Sequence, residues 1–343
     1  MRNIITKTVL CFLLSVLSSP TCSKKSITPA PLPIKASSYA PVVPILNGMA
    51  ANPFIRIEVQ IFSGNSEQHY RKIQCTLNAL ALDEVQKVDV YFSGEIFAAV
   101  NLIGTVNPVS AAFDIPVTLN LAPGLHYIWL SVVLKNNAPL LNNIELHATR
   151  LIDADAKELV IDQGTSLYSK RTGVAVRKGG DDNVNTYRIP GIVQTDRGTL
   201  LSVFDIRYND SRDLPGNIDV GLTRSTDSGR TWQSMKIIMD MGAPHENNGV
   251  GDPSILFDPV TKKIWVAALW SKGNRSIAGS LPGLSPDTTG QFVLVSSADD
   301  GMTWSAPYTI TPQVKNPAWH IFFNGPGSGI AMQDGKLVFA AQY

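Results

Sequence analysis

Alternation of apolar and polar positions marks the chain from about residue 51 onward. Four stretches either alternate with period two or are apolar throughout, as strands do, and turn-like segments separate them. Only LNALALDEV (77–85) indicates a helix. We therefore predict a β-sandwich domain over residues 51–152. Its predicted strands are IRIEVQIF (55–62), KVDVYFSG (87–94), AFDIPVTLNL (112–121) and HYIWLSVVL (126–134).

An internal repeat marks the second half of the chain. STDSGRTW (225–232) recurs as SADDGMTW (297–304), so both segments follow the pattern S-x-D-x-G-x-T-W. A repeat at this spacing is typical of a solenoid or a propeller. Each copy has the composition of a hairpin turn, in which Asp and Ser bond the local backbone and Gly takes a left-handed angle. We interpret the repeats as structural elements that hold neighbouring sheets together.

The strands around these repeats can be traced as antiparallel sheets. The stretches 187–193, 199–206, 218–224 and 231–239 form one predicted sheet, and 252–258, 263–270 and 291–297 begin a second. A third is expected to open with SGIAMQD and GKLVFAAQY. In this trace the long loops 207–217, 240–251, 271–290 and 313–327 all fall at one end, which is where a functional site is expected.

Arg188 lies at that same end. It sits in NTYRIPGIV (185–193), two residues before a proline and within an otherwise apolar strand. We expect Pro190 to hold Ile189 extended, so that Arg188 points to one face while Tyr187 and Ile189 point to the other. The antiparallel hairpin then returns Arg207 to the end where Arg188 begins.

The net charge and the cysteine count argue against several classes of function. The 343 residues carry a formal net charge of +1, so no electrostatic reason exists to expect nucleic-acid or anionic-membrane binding. With Cys11, Cys22 and Cys75 as the three cysteines, no disulfide framework is available and no zinc-type spacing occurs. No mature transmembrane segment is predicted.

The N-terminus has the features of an export signal. Arg2 and Lys7 precede the apolar run VLCFLLSVL (9–17), which is too short to span a bilayer, and small residues follow. We predict a signal peptide over residues 1–22 and a Ser-, Pro- and Lys-rich tether over 23–50. A lipoprotein anchored at Cys22 is the alternative to ordinary cleavage. The expected location is the periplasm, the cell surface or the medium.

The motifs of the second half resemble those of a known family. YRIPG, DIRYNDSRDL, GVGDPSILFD and the two S-x-D-x-G-x-T-W segments, called Asp boxes below, are similar to those of bacterial exo-sialidases (neuraminidases). The resemblance implies an all-β chain: an N-terminal β-sandwich of the Bacteroides type, followed over residues 165–343 by part of a six-bladed β-propeller. About two and a half blades are expected. The remaining arginines, a glutamate and the nucleophilic tyrosine of the family are expected beyond residue 343, so we expect residues 1–343 to be inactive alone.

The resemblance also implies roles for three residues. Arg188 matches the first of three arginines that bind the substrate carboxylate, and a guanidinium suits that task because it stays charged and binds bidentately. Arg207 matches a further pocket arginine. Asp213 matches the general acid/base, which protonates the leaving oxygen and then activates water. The alternatives are a structural ion pair for Arg188 and a strand-end pairing of Arg207 with Asp213.

Other candidates are less specific. Asp210 and Asp219 compete with Asp213 for the acid role, and Asp219 lies within a predicted strand. Asp252 matches an acidic pocket residue but could equally be a turn aspartate before Pro253. Substrate-binding positions are also predicted on the loops at the site end, at Trp270, Trp319 and Asn324.

The implied activity is hydrolysis of terminal sialic acid, with retention, from glycoproteins, glycolipids or oligosaccharides. No metal or cofactor is expected, and we expect a monomer. A non-catalytic glycan-binding protein and a propeller used for protein assembly are the alternatives, although Arg188, Arg207 and Asp213 together argue against the last.

Overall fold

The computed structural model describes residues 31–343, so the predicted signal peptide, Cys22 and the first part of the tether lie outside the described residues. The described chain is all-β apart from short helical turns. Those turns are 3₁₀ helices at Ala79–Asp83, Asp181–Asn183 and His245–Asn247 and a one-turn α-helix at Thr311–Val314. The first of these lies inside the stretch predicted to be helical. Over residues 31–343, no helix is both long and apolar enough to cross a membrane.

The N-terminal domain is a two-layered sandwich, as predicted. One layer has the strand order β1-β3-β8-β5-β6, and the other is built on β7-β4-β9. The strands are β1 (Lys35–Tyr39), β2 (Ile45–Asn47), β3 (Asn52–Ile61), β4 (Gln68–Leu77), β5 (Val85–Ser93), β6 (Leu102–Val106), β7 (Ala112–Leu121), β8 (Gly124–Leu134), β9 (Asn143–Asp153), β10 (Glu158–Asp162) and β11 (Ser169–Val174).

Period-two burial explains why these stretches form strands. In β7 every second residue from Ile115 to Leu121 is buried, and its neighbours are exposed. The buried side chains of both layers join one core that includes Ile57, Ile73 and Leu130. A slip of one residue would move the apolar side chains of a strand from this core to the solvent face. Burial of one face of each layer therefore fixes the register of the sandwich.

The sandwich extends beyond its predicted boundaries at both ends. β1 pairs with β3 and β10, and β2 pairs in parallel with β11. The tether prediction is therefore wrong over these two strands, since their buried positions, such as Ala36 and Ile45, belong to the core. The predicted second domain likewise begins too early at residue 165, because β11 still belongs to the sandwich. Strands this short carry too few apolar positions to show a period.

The second half contains two successive antiparallel sheets, at the positions that the trace predicts. The first repeat sheet has the order β12-β13-β14-β15, and the second repeat sheet has the order β16-β17-β18-β19 with β21 added in parallel beside β16. Their strands are β12 (Thr186–Gln194), β13 (Leu200–Arg207), β14 (Ile218–Ser225), β15 (Lys236–Met239), β16 (Val250–Phe257), β17 (Ile264–Trp270), β18 (Gln291–Ser297) and β19 (Tyr308–Thr309).

Short strands follow the second repeat sheet. They are β20 (Phe323–Asn324), β21 (Gly327–Ser328), β22 (Ile330–Ala331), β23 (Leu337–Val338) and β24 (Ala341–Gln342). β22 pairs with β23 and β20 with β24, so the expected third unit opens with a hairpin. The six-blade count stays a prediction.

An apolar core joins the two repeat sheets. It contains Leu201, Val203 and Val220 from the first and Ile255 and Val266 from the second. Both Asp boxes form the hairpin turns that the sequence predicts. Asp227 accepts hydrogen bonds from the backbone N–H (2.9 Å) and hydroxyl (2.6 Å) of Thr231, and Gly229 has φ 83°. The two sheets are therefore fixed against each other, with their long loops at the opposite end from the Asp boxes.

Candidate active site

A β-bulge presents Arg188 at the loop end of β12. Arg188 lies opposite Asp205 and Gly191 lies opposite Val203, so two β12 residues face Phe204 alone. Ile189 has φ 55°, and the expectation that Pro190 keeps it extended is wrong. In this bulge the extra residue takes a left-handed backbone angle, and the strand pairing on either side overrides the usual preference before proline.

The same device recurs in β16. The register shifts between Gly251 and Ser254, and Asp252, which precedes a proline, has φ 56°. Ile189 and Asp252 therefore occupy matching positions in successive repeat sheets. Bulges re-aim side chains and are enriched near functional sites.

Arg188 has a free guanidinium. It is exposed, and within residues 31–343 it makes no ion pair. Because residues directly opposite in an antiparallel pair share a face, Arg188 lies on the side of β12 and β13 that carries Asp205. Burial raises the pKa of Asp252, and the positive charge of Arg188 is among the effects that oppose this shift. The structural ion-pair alternative for Arg188 therefore has no support in the described chain.

Arg207 is buried at the centre of the site, with only 1% of its side chain exposed. Nε and Nη2 donate to Oδ2 of Asp205 at 3.1 and 2.8 Å, and Nη1 donates to the carbonyl of Ser211 at 2.9 Å. Nη2 also donates to Oδ1 of Asp213 at 3.2 Å. The predicted pairing with Asp213 is present, but the stronger partner is Asp205.

Asp205 is a site residue that sequence reasoning missed. Its side chain is completely buried, and burial raises its pKa to about 7 against the opposing effect of Arg207. Its second oxygen, Oδ1, accepts the backbone N–H of Asp252 at 2.9 Å. The signal for it was present: an aspartate inside the apolar strand VFDIR, two residues before Arg207 and so on the same face.

Asp213 is the exposed acid of the cluster, with 59% of its side chain accessible. Its Oδ1 accepts both the Arg207 bond and the backbone N–H of Leu214 at 2.8 Å. Within the described chain no donor bonds its Oδ2, which leaves that oxygen open to a ligand. A carboxyl held by one oxygen and free at the other is the arrangement that a general acid needs.

The rival aspartates are engaged elsewhere. Asp210 accepts two bonds from the Arg212 guanidinium at 2.9 and 2.6 Å, and Arg212 lowers its pKa. Asp219 is buried in β14, accepts the Tyr208 hydroxyl at 2.9 Å, and has a pKa that burial raises to about 6. Neither contacts Arg207, so the geometry favours Asp213.

Three carboxylates converge at this point. Asp205, Asp213 and Asp252 each place an oxygen within 4.8 Å of the others. Burial, and next the negative charge of Asp213, raise the pKa of Asp252, while Arg207 and Arg188 oppose that shift. Arg207 bonds two of the three carboxylates, Asp205 and Asp213, so its single positive charge reduces the repulsion between them.

A cavity of about 490 Å³ opens beside this cluster. The loop between β13 and β14 forms most of its wall, and Glu246 lies on another side. Arg207 and Asp213 both line it. The cavity is therefore polar and carries both signs of charge at its floor.

The remaining predicted substrate-binding residues are Trp270, Trp319 and Asn324, and their surroundings differ. Trp270 lines a neighbouring cavity and donates its indole N–H to Asn248 at 2.7 Å. Trp319 stacks on Tyr343, with ring centroids 4.4 Å apart. Asn324 is fully buried and donates to the Asp252 carbonyl at 2.7 Å, so it lies behind the site rather than at its surface.

Each half of the chain matches the model of a known protein family. Residues 34–157 match the N-terminal domain of BNR-repeat neuraminidase, and residues 189–343 match the BNR repeat-like domain. These matches cover the sandwich and the repeat sheets separately.

Curated relatives carry the name sialidase. A sialidase of Bacteroides fragilis (strain YCH46) is 46% identical over 231 residues, which are 65% of this chain and 42% of that protein. A sialidase of Paraclostridium sordellii is 33% identical over 183 residues, 52% of this chain and 44% of that protein. The chain thus spans less than half the length of either relative.

A solved structure shares the fold of most of the chain. A Hadza microbial sialidase superposes with a TM-score of 0.78 and 32% sequence identity, covering 89% of this chain and 65% of that one. The sandwich and the repeat sheets therefore both resemble parts of that structure.

Proposed function

We propose that this chain belongs to the BNR-repeat neuraminidase family and forms part of the catalytic machinery of an exo-α-sialidase. That enzyme removes terminal sialic acid from glycoconjugates with retention of configuration. One observation carries the proposal: the exposed carboxyl of Asp213 and the guanidinium of Arg188, which forms no ion pair within residues 31–343, lie at the same end of the repeat sheets as buried Arg207. An acid beside a free anion-binding group suits a substrate that carries a carboxylate next to its scissile bond.

Arg188 supplies the anion grip in this proposal. A sialic acid carboxylate would take the place of the ion-pair partner that the described chain does not provide. A bidentate guanidinium–carboxylate contact fixes orientation as well as supplying energy, and it persists at any working pH. Arg207 cannot serve the same purpose alone, because Asp205, Asp213 and the Ser211 carbonyl already use most of its donors.

Asp213 supplies the proton. As the nucleophile of the enzyme attacks the anomeric carbon and the bond to the leaving group breaks, the Oδ2 carboxylic acid would protonate the glycosidic oxygen. The same oxygen would then take a proton from the water that displaces the nucleophile and releases the sugar. The bonds to Oδ1 from Arg207 and Leu214 hold the carboxyl in one orientation throughout. Asp252, also at the cluster, is placed to accept a hydrogen bond from a sugar hydroxyl or amide.

The wider context belongs to the same proposal. The substrates would be sialylated glycoproteins, glycolipids or oligosaccharides, met outside the cytoplasm after export, and the working unit would be a monomer. The predicted signal peptide supports export, and the near-zero net charge gives no support to a nucleic-acid partner.

Turnover of a fluorogenic aryl sialoside by the full-length protein tests the activity. The anomer released first, followed by proton NMR, tests retention, since the α-anomer should precede its mutarotation. Absence of turnover in the folded protein would refute the proposal, and early release of the β-anomer would refute retention.

A further inference from the structure

The backbone conformation of Asp252 is not fixed by the hydrogen bonds of the sheet alone. Asp252 is a non-glycine residue with φ 56°, placed before a proline that has no N–H. In the bulge, Gly251 pairs with Leu269 and Ser254 with Ala267, so Asp252 stands outside the regular pairing of β16 and β17. A left-handed aspartate in a strand persists only where its surroundings hold it.

Two buried side chains bond the N–H and the carbonyl of Asp252. Oδ1 of Asp205 accepts the Asp252 N–H at 2.9 Å, and Nδ2 of Asn324 donates to the Asp252 carbonyl at 2.7 Å. Both side chains are 0% exposed. They come from β13 and β20, so these two strands and β16 meet at one residue.

The approach of Asp205 depends on the residue before Asp252. A Cβ added to Gly251 would lie 3.0 Å from Oδ1 and 3.3 Å from both Cγ and Oδ2 of Asp205. Contacts at these distances are tighter than side chains normally make, so glycine lets the carboxylate reach the Asp252 N–H.

The same carboxylate also holds Arg207. Oδ2 of Asp205 accepts two bonds from that guanidinium, while Oδ1 holds Asp252. A shift of Asp205 or of the Asp252 backbone would therefore move the guanidinium that bonds Asp213. The two oxygens of one buried group thus tie the acid side of the site to the Asp252 side.

We propose that Asp205 and Asn324 are positioning residues that clamp the left-handed backbone of Asp252 and thereby aim its carboxylate at the substrate. The inference rests on the proposed sialidase function for the substrate that Asp252 meets. The clamp itself is a statement about geometry and stands apart from it. Neither side chain touches substrate, because both are fully buried.

Asn324→Ala in the full-length protein tests the clamp. The expected result is a loss of about 10- to 100-fold in kcat/KM on an aryl sialoside, because small displacements in a site are costly. Asn324→Ser, which keeps a short donor, should lose less, and it also serves if the alanine variant folds poorly. Asn52→Ala is the matched control, since Asn52 is also buried and donates to two carbonyls at 3.1 Å, but in the sandwich.

A double-mutant cycle separates positioning from general stability. If Asn324 acts through Asp252, then Asn324→Ala should change kcat/KM little once Asp252→Ala is present. Full additivity of the two losses would overturn the proposal, as would an Asn52→Ala loss as large as that of Asn324→Ala.

Crystal structures of the wild-type protein and the Asn324→Ala variant give a readout that needs no activity. The clamp requires the Asp252 φ or its bond to Asp205 to change in the variant, and an unchanged Asp252 would overturn it. A wild-type protein that does not cleave sialosides would instead refute the proposed function. The two crystal structures would still show whether Asn324 holds the Asp252 backbone.

Discussion

Asp300 forms a 2.9 Å ion pair with Arg224, which joins the Asp box of the second repeat sheet to the third strand of the first. The same carboxylate accepts the hydroxyls of Thr195 and Thr199 at 2.8 and 2.7 Å, in the turn between β12 and β13. Both partners of the ion pair are nearly buried, with 8% and 11% of their side chains exposed. The fourth position of this Asp box is therefore a contact between sheets.

Asp300→Ala should destabilise the second half of the chain. Removing the Asp300 carboxylate leaves Nη2 of Arg224 and two hydroxyls without that acceptor, and we expect a loss of about 2–4 kcal/mol in the free energy of unfolding. Urea unfolding measures it. Ser228→Ala is the control, because Ser228 has the same turn position and the same φ of 61° but is exposed. Equal losses in the two variants would show that the turn matters and the ion pair does not.

Arg188→Ala should weaken catalysis by the full-length protein without unfolding it. The unpaired guanidinium contributes little to the described fold, but its loss removes a charge-assisted bidentate contact with the substrate. We expect a reduction in transition-state binding of about 2–4 kcal/mol, seen in kcat/KM on an aryl sialoside. Arg230→Ala, an exposed change at the opposite, Asp-box end, should have no effect. A near-wild-type kcat/KM for Arg188→Ala would remove Arg188 from the site.

Asp213→Asn should discriminate between leaving groups. An aryl leaving group needs little protonation, whereas a sugar leaving group needs it fully, so sialyllactose should slow far more than the aryl sialoside. Rates on both substrates decide the matter. Asp210→Asn is the control, because Asp210 is engaged by Arg212. If that variant showed the selective loss instead, the acid would be misassigned, and equal slowing of both substrates by Asp213→Asn would indicate a structural role.

Asp299 should make stability depend on pH. Bonds from Thr303 lower its pKa to about 2 in the folded chain, against about 3.9 when unfolded. A depressed acid stabilises above its unfolded pKa, and that contribution disappears as the pH falls through about 2. Asp299→Asn should therefore lower Tm by about 2–4 °C near neutral pH, with the gap closing below about pH 3. A gap that stays constant with pH would show that the charge of Asp299 is not what stabilises the turn.

The sequence indicated the repeat sheets closely. The four strands traced for the first sheet and the three traced for the second agree with the structure within a few residues, except that β15 begins at Lys236 and not at Thr231. Apolar runs, turn residues and two near-identical Asp boxes all indicate the same hairpins. Boundaries were less accurate in the sandwich, where β1, β2, β10 and β11 are too short to show a period. Their membership in the domain follows from distant pairings, such as β2 with β11.

Part of the candidate site could also be predicted from the sequence. Arg188, Arg207, Asp213 and Asp252 meet at one end, as an antiparallel trace requires. Asp205 was missed, although its place in an apolar strand two residues before Arg207 was a signal; its bonds to Arg207 and to the Asp252 N–H appear only in the structure.

The sequence by itself therefore determined the all-β class, most strands of the two repeat sheets and the end of those sheets where the charged groups gather. These depend on local chemistry: apolar period, turn residues and chain direction. The sequence did not indicate β4, β6 and β9 of the sandwich. Only the tertiary structure decided that Ile189 and Asp252 are left-handed, that Asp205 holds Arg207, and that Asn324 lies behind the site. Those features need contacts between residues as far apart as Asn324 and Asp252, and a bulge that exists only once neighbouring strands pair. Local preference cannot encode a bond whose partner comes from another sheet.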